Sequence, residues 1–401
     1  MRSNSGMTSN GLLGRLAVIS MLAIMVGFSL VAAPAARAAS ITAVNIQVGD
    51  SPDGVALTSN GNVYVANYGD GTVVVVNSTT NTITATIHVG DDPSAIAIDQ
   101  ALNKAFVTNE GDNTVSVINT KTNKVLVNVT VGNTPDAIAV NPVTNLVYVV
   151  NNIDGTVSLI NGTTNTVVAN ITVGDSPDAV AVDNDTNGVY VANGFDNTVS
   201  YINGTYPVSE INGTNAVIAN VTVGNSPDAI SFNPVTRDVL VANSADNDLC
   251  IISGTNCGNY ILVGGGPAAM ATNPTTGVTY VANSNDNNVS LIDPTTNKVS
   301  SNVTVETFPN AVAINPATGN VYVANYYNVT LSIIPLKAVV TTTTSSSGPT
   351  STTPSSTTSS SSSSPSSGIP EFSSSLGLAA VVTGIIVVTY VYARRATIRK
   401  Q

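Results

Sequence analysis

One pentapeptide pattern, Val-Gly-x-x-Pro, begins at Val48, Val89, Val131, Val173, Val223 and Val263, and a seventh start at Val305-Glu306 lacks only its glycine. The starts lie 40 to 42 residues apart, except for one interval of 50 that carries an extra segment over 206–213, which reads as an inserted loop. A period of this length constrains the fold more than any other feature. Each unit is too small to bury its own apolar face, so the units must cover one another.

Within a unit, four short runs rich in β-branched residues are separated by turn residues. In the third unit the runs are Ala137–Val140, Leu146–Val150, Thr156–Ile160 and Val167–Val173, and the separators carry Asn, Gly, Pro and Asp, which supply turn dihedrals. Four strands every ~40 residues predict a propeller blade rather than a helical solenoid. Seven units predict an all-β, seven-bladed β-propeller over residues 39–336. The seventh unit lacks a fourth strand, and the segment from Ile41 to Val48 matches the fourth strand of the others. The N-terminal strand is therefore expected to complete the last blade and close the ring.

The second runs read Tyr64-Val65-Ala66-Asn67, Phe106-Val107-Thr108-Asn109, Tyr148-Val149-Val150-Asn151, Tyr190-Val191-Ala192-Asn193, Leu240-Val241-Ala242-Asn243, Tyr280-Val281-Ala282-Asn283 and Tyr322-Val323-Ala324-Asn325. Together with the Pro-Asp-Ala-Ile-Ala-Val and Val-Ser-x-Ile-Asn segments beside them, these resemble the YVTN-type β-propeller repeats of archaeal and bacterial surface-layer-like proteins. The resemblance implies a surface role. It implies no activity, because propellers host binding, scaffolding and catalysis alike.

The two ends speak to location. Arg2 and Arg15 precede an apolar stretch from Leu16 to Ala33 and an Ala36-Arg37-Ala38 site, so residues 1–38 read as a secretory signal peptide, with an uncleaved anchor as the alternative. Residues 337–375 are mostly Ser, Thr and Pro and read as an extended stalk. Residues 376–393 hold no charge and are long enough to cross a bilayer, and the tail 394–401 carries Arg394, Arg395, Arg399 and Lys400, which orients that tail to the cytoplasm. Ile369-Pro370-Glu371-Phe372 before the apolar span resembles PEF-type archaeal sorting signals, which would replace the span by a processed anchor. Both alternatives place the propeller on the outer face of the cell membrane.

Composition narrows the function. The formal net charge is −11 with 9% charged residues, so the basic footprint of a nucleic-acid binder is missing. In an up-and-down blade, the loop into strand one shares a face of the disc with the loop from strand two to strand three. That assignment puts Asp70, Asp112, Asp154, Asp196, Asp246 and Asp286 on one face, with Asp50, Asp53, Asp91, Asp92, Glu110, Asp136, Asp175, Asp178, Asp228, Asp248 and Glu306 near them and no Lys or Arg. Lys104, Lys121, Lys124, Arg237 and Lys298 fall on the opposite face. Since the stalk leaves from that basic side, the acidic face is expected to point away from the membrane. Its repulsion would be relieved by calcium, with the six loop aspartates as ligands, or by a cationic partner. Alternatively, each Asp caps its own turn.

Few residues suit catalysis. His88 is the only histidine and lies on an outer strand. One His and no Cys/His cluster leave neither a His-rich metal site nor a ready triad. Cys250 and Cys257 flank a hairpin centred on Ser253-Gly254, which would set them directly opposite one another and favour a disulfide, with free thiols as the alternative. Eleven Asn-x-Ser/Thr sequons occur, about the number that residue frequencies produce, and those in Asn-Gly-Thr turns, Asn161, Asn203 and Asn212, are the expected glycan sites. The sequence thus predicts a non-enzymatic surface module, an adhesin or surface-layer-associated scaffold that binds a cell-surface protein or glycan. The alternative is an extracellular propeller enzyme of a calcium-assisted lactonase, lyase or quinoprotein type.

Overall fold

The computed structural model describes residues 42–204, 217–254 and 256–335. The expected signal peptide, the inserted loop over 206–213, the stalk, the membrane span and the basic tail lie outside the described residues. Among those described, no helix is long and apolar enough to cross a membrane.

Twenty-eight strands form seven four-stranded antiparallel sheets, six of them in simple sequence order. Blade 3 is representative, with strands Pro135–Asn141, Leu146–Asn151, Thr156–Asn161 and Thr166–Thr172. The first strand starts two residues before the apolar run because Pro135 already pairs with Asn151. The seventh sheet is the exception that closes the ring. Its fourth strand is Val44–Gln47, paired with Thr330–Ile334 through Asn45 opposite Ser332. The expectation from sequence holds, with a strand shorter than the matching segment.

First strands of successive blades touch one another, and Pro52–Leu57 of blade 1 touches Pro309–Ile314 of blade 7, so the inner strands form a closed circle. Seven apolar clusters occupy the seven interfaces between blades. Alternation divides each second strand between its two neighbours. In blade 3, Tyr148 and Val150 pack toward Val189 and Val191 of blade 4, whereas Val147 and Val149 pack toward Phe106 and Val117 of blade 2. A strand sandwiched in this way is apolar on both faces, which is why these runs read as nearly continuous hydrophobic stretches.

Every first strand is bulged immediately after its proline, as between Pro135 and Ala137 or Pro177 and Ala179. Proline lacks an N–H, so it sits at the first position of an inner strand without leaving a donor unpaired. The residue after it falls at the bulge, where the side chain is re-aimed.

Candidate functional site

The repeat motifs meet in a polar unit that is complete in blades 2 and 3. The asparagine ending each second strand is fully buried, at 0% exposure in all seven blades. In blade 2, Gly90 N donates to Asn109 Oδ1 (3.2 Å), Asn109 Nδ2 donates to Ser116 Oγ (2.9 Å), and Ser116 Oγ donates to Asn128 Oδ1 (2.9 Å). Blade 3 repeats the chain through Gly132, Asn151, Ser158 and Asn170. The backbone N–H fixes the first amide, and each later donor follows from it, so the whole relay runs from the loop glycine to the outermost strand. The close approach needs a glycine, because a Cβ at Gly132 would lie 2.7 Å from Asn151 Cγ, and in blade 7, where Glu306 replaces it, Asn325 Oδ1 has no such partner.

The six aspartates proposed as calcium ligands are distributed one per blade, and each clamps a loop of its own blade. Oδ2 of Asp70, Asp112, Asp154, Asp196, Asp246 and Asp286 accepts the backbone N–H of Asp50, Asp91, Asn133, Asp175, Asn225 and Gly265, respectively, at 2.7–3.0 Å. Asp154 and Asp246 also use Oδ1, for Asn133 Nδ2 and Asn225 Nδ2. Among the described residues, no three His, Cys, Asp or Glu side chains converge where a metal ion would fit. The clamped N–H lies about twenty residues upstream of its Asp, so each carboxylate caps a neighbouring loop and not its own turn.

The next residue links neighbouring blades. Asn113, Asn197, Asn247 and Asn287 accept through Oδ1 from the backbone N–H of Thr134, Ser226, Gly266 and Phe308 in the following blade. All four have positive φ, and Gly71, Gly155 and Val329 hold the same conformation in the remaining blades.

The loops carrying these clamps form the acidic face. Three of them also expose apolar tips at one equivalent position: Ile153 (52%), Phe195 (62%) and Tyr327 (48%). Blade 7 departs furthest from the repeat. Phe308, at φ 59°, lies 4.9 Å from the Tyr327 ring, and Tyr326 meets Tyr327 edge-on at 5.3 Å. The signal was present in sequence as Phe308 and Tyr326-Tyr327, where other blades carry mostly small or polar residues.

A second acidic position, the residue after each proline, occupies equivalent bulges on the seven inner strands: Asp53, Ser94, Asp136, Asp178, Asp228, Ala268 and Asn310. Asp178 is 7% exposed and accepts from Asn152 Nδ2 of blade 3 at 2.6 Å. Asn310 Nδ2 donates to Asp53 Oδ1 across the junction of blades 7 and 1. The Pro-Asp-Ala segments were legible in sequence, whereas their placement around the axis depends on the closed circle of inner strands.

On the opposite face, Arg237 of blade 5 bridges to Asp183 (3.2 Å) and Asp185 of blade 4. Tyr64 donates to Asn123 Oδ1 (2.6 Å) in the next blade, and burial pushes its phenol up to about 12. Blade 2 has Phe106 at that position. There Lys104 Nζ reaches the equivalent acceptors, Gly162 O (2.6 Å) and Asn165 Oδ1 (2.8 Å). Burial lowers the Lys104 ammonium pKa, opposed by the charge of Asp99.

Other expected residues fall as follows. His88 ends the outer strand Thr82–His88 and is exposed. Cys250 and Cys257 form a disulfide with Cα atoms 5.8 Å apart. They are not directly opposite, because the hairpin pairs Ser253 with Asn256 and so is centred one residue later than expected, which sets Cys257 against Ile252. A bulge between Ile251 and Ile252 moves Cys250 one residue further, to face Tyr260. Asn161 is half-buried and caps Thr163 N and Thr164 N, Asn203 is half-buried, and Asn212 lies outside the described residues. A groove of about 500 Å³ lies at the outer rim between blades 2 and 3, lined by residues including Thr130, Asp154, Thr156 and Asn170.

No family model matches the chain. A 49-residue stretch, 12% of the chain, is 45% identical to the PE-PGRS family protein PE_PGRS18 of Mycobacterium tuberculosis, and the match spans only 11% of that protein. Solved structures resemble the whole described ring. The Kuenenia stuttgartiensis hydrazine synthase matches with a TM-score of 0.61 at 16% identity, covering 72% of this chain and 96% of that one. A streptogramin B lyase structure matches with a TM-score of 0.61 at 14% identity, covering 73% and 95%. At such identities the likeness is one of fold alone, and the fold is that of a seven-bladed β-propeller with four-stranded blades.

Proposed function

We propose that this protein is a non-enzymatic binding module held at the outer surface of the cell, with the acidic face of the propeller as its contact surface. The observation carrying this reading is the combination on one face of carboxylates without a Lys or Arg and three exposed apolar tips, Ile153, Phe195 and Tyr327. Apolar anchors set in a field of one sign suit a partner surface bearing Lys or Arg, which the field steers and the anchors hold. Secretion by the leader at 1–38 and retention by the apolar span at 376–393, or by an anchor replacing it at the Pro370-Glu371-Phe372 motif, complete the reading. The YVTN-like repeats are in keeping with an adhesin or surface-layer-associated role. The test is binding of the protein to isolated cell envelopes across a salt series. Strong attachment at low salt that weakens as salt rises, and that is reduced by D91N/D175N together with Phe195→Ser, supports it. Salt-independent binding unaffected by these changes overturns it.

A second reading, an extracellular propeller enzyme, is favoured by the post-proline ring of Asp53, Asp136, Asp178 and Asp228 on the inner strands. A propeller among the similar structures is named a lyase. Turnover of a lactone or cyclic ester that is lost in Asp136→Asn would establish it in place of the first.

A further inference from the structure

The outermost strands carry a pattern that the turn sequons obscure. Asn128, Asn170, Asn220 and Asn302 occupy one register position on the fourth strands of blades 2, 3, 4 and 6, opposite Ser116, Ser158, Ser200 and Ser290. Each begins an Asn-x-Thr sequon. Strand alternation buries the middle residue, Val129, Ile171, Val221 or Val303, and leaves both the Asn and the Thr exposed.

The hydrogen-bond relay sets the amide orientation where it is complete. Asn109 Nδ2 donates to Ser116 Oγ, so the serine hydroxyl spends its proton on Asn128 Oδ1. The same order holds from Asn151 through Ser158 to Asn170. Oδ1 is thus held inward and Nδ2, the atom that carries an N-linked sugar, is turned outward. Blade 7 provides the contrast: the equivalent Asn45 also accepts from Ser332, but its Nδ2 donates to Glu306, and its third position is Gln47 rather than Thr.

From this geometry we propose that Asn128, Asn170, Asn220 and Asn302 carry N-linked glycans that form a band around the rim of the propeller. The inference rests on the surface reading above, since the sugar is added outside the cytoplasm. In the transfer, Asn Nδ2 attacks C1 of a lipid-phosphate-linked sugar donor. The N–C1 bond forms, the C1–O bond to phosphate breaks, the phosphate leaves with the bonding pair, and the amide proton passes to a base of the transferase. A chain modified at Asn128 and Asn170 still closes those blades, because Oδ1 keeps its serine. The band also covers edge strands that would otherwise offer unpaired backbone and exposed apolar side chains such as Leu126 (51%) and Ile218 (51%) to other copies.

The experiment is peptide mass mapping of the full chain isolated from its own cells, alongside surface labelling of the intact cells. The expected result is a sugar mass on the peptides of all four rim asparagines, with the mass at Asn128 alone lost in Thr130→Ala. Unmodified rim asparagines overturn the proposal. Surface labelling then tells whether the surface reading falls with it, since a labelled but unmodified protein leaves that reading standing. A sugar that persists at Asn128 in Thr130→Ala also overturns it.

Discussion

Glu306 Oε1 accepts a hydrogen bond from Asn45 Nδ2 at 2.6 Å, joining residues 261 apart in sequence. Its other oxygen accepts from Thr330 Oγ1 at 2.6 Å, and Asn45 Oδ1 accepts from Ser332 Oγ at 2.7 Å. Glu306 stands where six other units have glycine. The one break in the Val-Gly repeat therefore lies in the one blade assembled from both ends of the propeller, and its side chain ties the closing strand to that blade.

Glu306→Gly, which restores the repeat, is expected to destabilise the ring by roughly 1–3 kcal/mol through loss of two hydrogen bonds to a charged group. Hydrogen exchange localises the effect, because amides of Val44–Gln47 should lose protection before those of blades 2 to 6. Glu306→Gln, which keeps an acceptor, should cost less. Equal protection throughout the ring in Glu306→Gly would refute the closure role.

Val329 is a β-branched residue at φ 61°, in the position held by Asn or Gly in the other six blades, and its carbonyl accepts from Val48 N at 3.1 Å. A left-handed β-branched residue costs on the order of 1–2 kcal/mol. Val329→Asn is expected to raise the melting temperature by relieving that strain and by offering Oδ1 to the backbone of Ser51, as Asn113 does to Thr134. Val329→Gly should gain less. A fall in melting temperature for both would contradict the strain argument.

Asp154→Ala removes acceptors for both Asn133 N and Asn133 Nδ2 and should cost about 1–3 kcal/mol. Asp154→Asn should be milder, since Asn328 performs the equivalent task for Thr307 N in blade 7. Because the loop aspartates act singly on backbone groups, thermal unfolding of the unmutated protein should be the same with calcium as with excess EDTA. A calcium-dependent rise reversed by chelation would mean that the acidic face gathers a cation.

Asp248 and Asp293 should respond to pH in opposite senses. Burial raises the Asp248 carboxyl above its usual 3.8, against a smaller opposing effect of the Asn243 hydrogen bond. The folded state then holds this proton more tightly than the unfolded chain, so stability falls as pH rises from about 3.8 through the raised value. Asp248→Asn, the residue found as Asn288 in blade 6, should stabilise at pH 7 and lose that advantage below pH 3.8. Asp293 is held below 3.8 chiefly by the backbone N–H of Thr296 and then Thr295, so its contribution is present at neutral pH and lost as acid protonates it. Melting curves of Asp248→Asn and Asp293→Ala from pH 3 to 7 check both signs.

The sequence by itself determined the blade number, the strand order, the closure by the N-terminal strand and the one loop set to which the six clamping aspartates belong. These follow from period-two alternation and turn chemistry, which act between residues a few positions apart and recur in every unit. Only the tertiary structure decided what the polar side chains do. Asp154 reaches Asn133 across two strands, Asn113 reaches the next blade, and Glu306 reaches the far end of the chain. The turn and bulge that together offset Cys250 from Cys257 also lie beyond a count of residues, since moving the turn by one residue, or adding one residue to a ladder, changes every partner after it. Spacing fixes which residues share a strand face, whereas hydrogen bonds between elements depend on register and on the closing of the ring, which no single repeat contains.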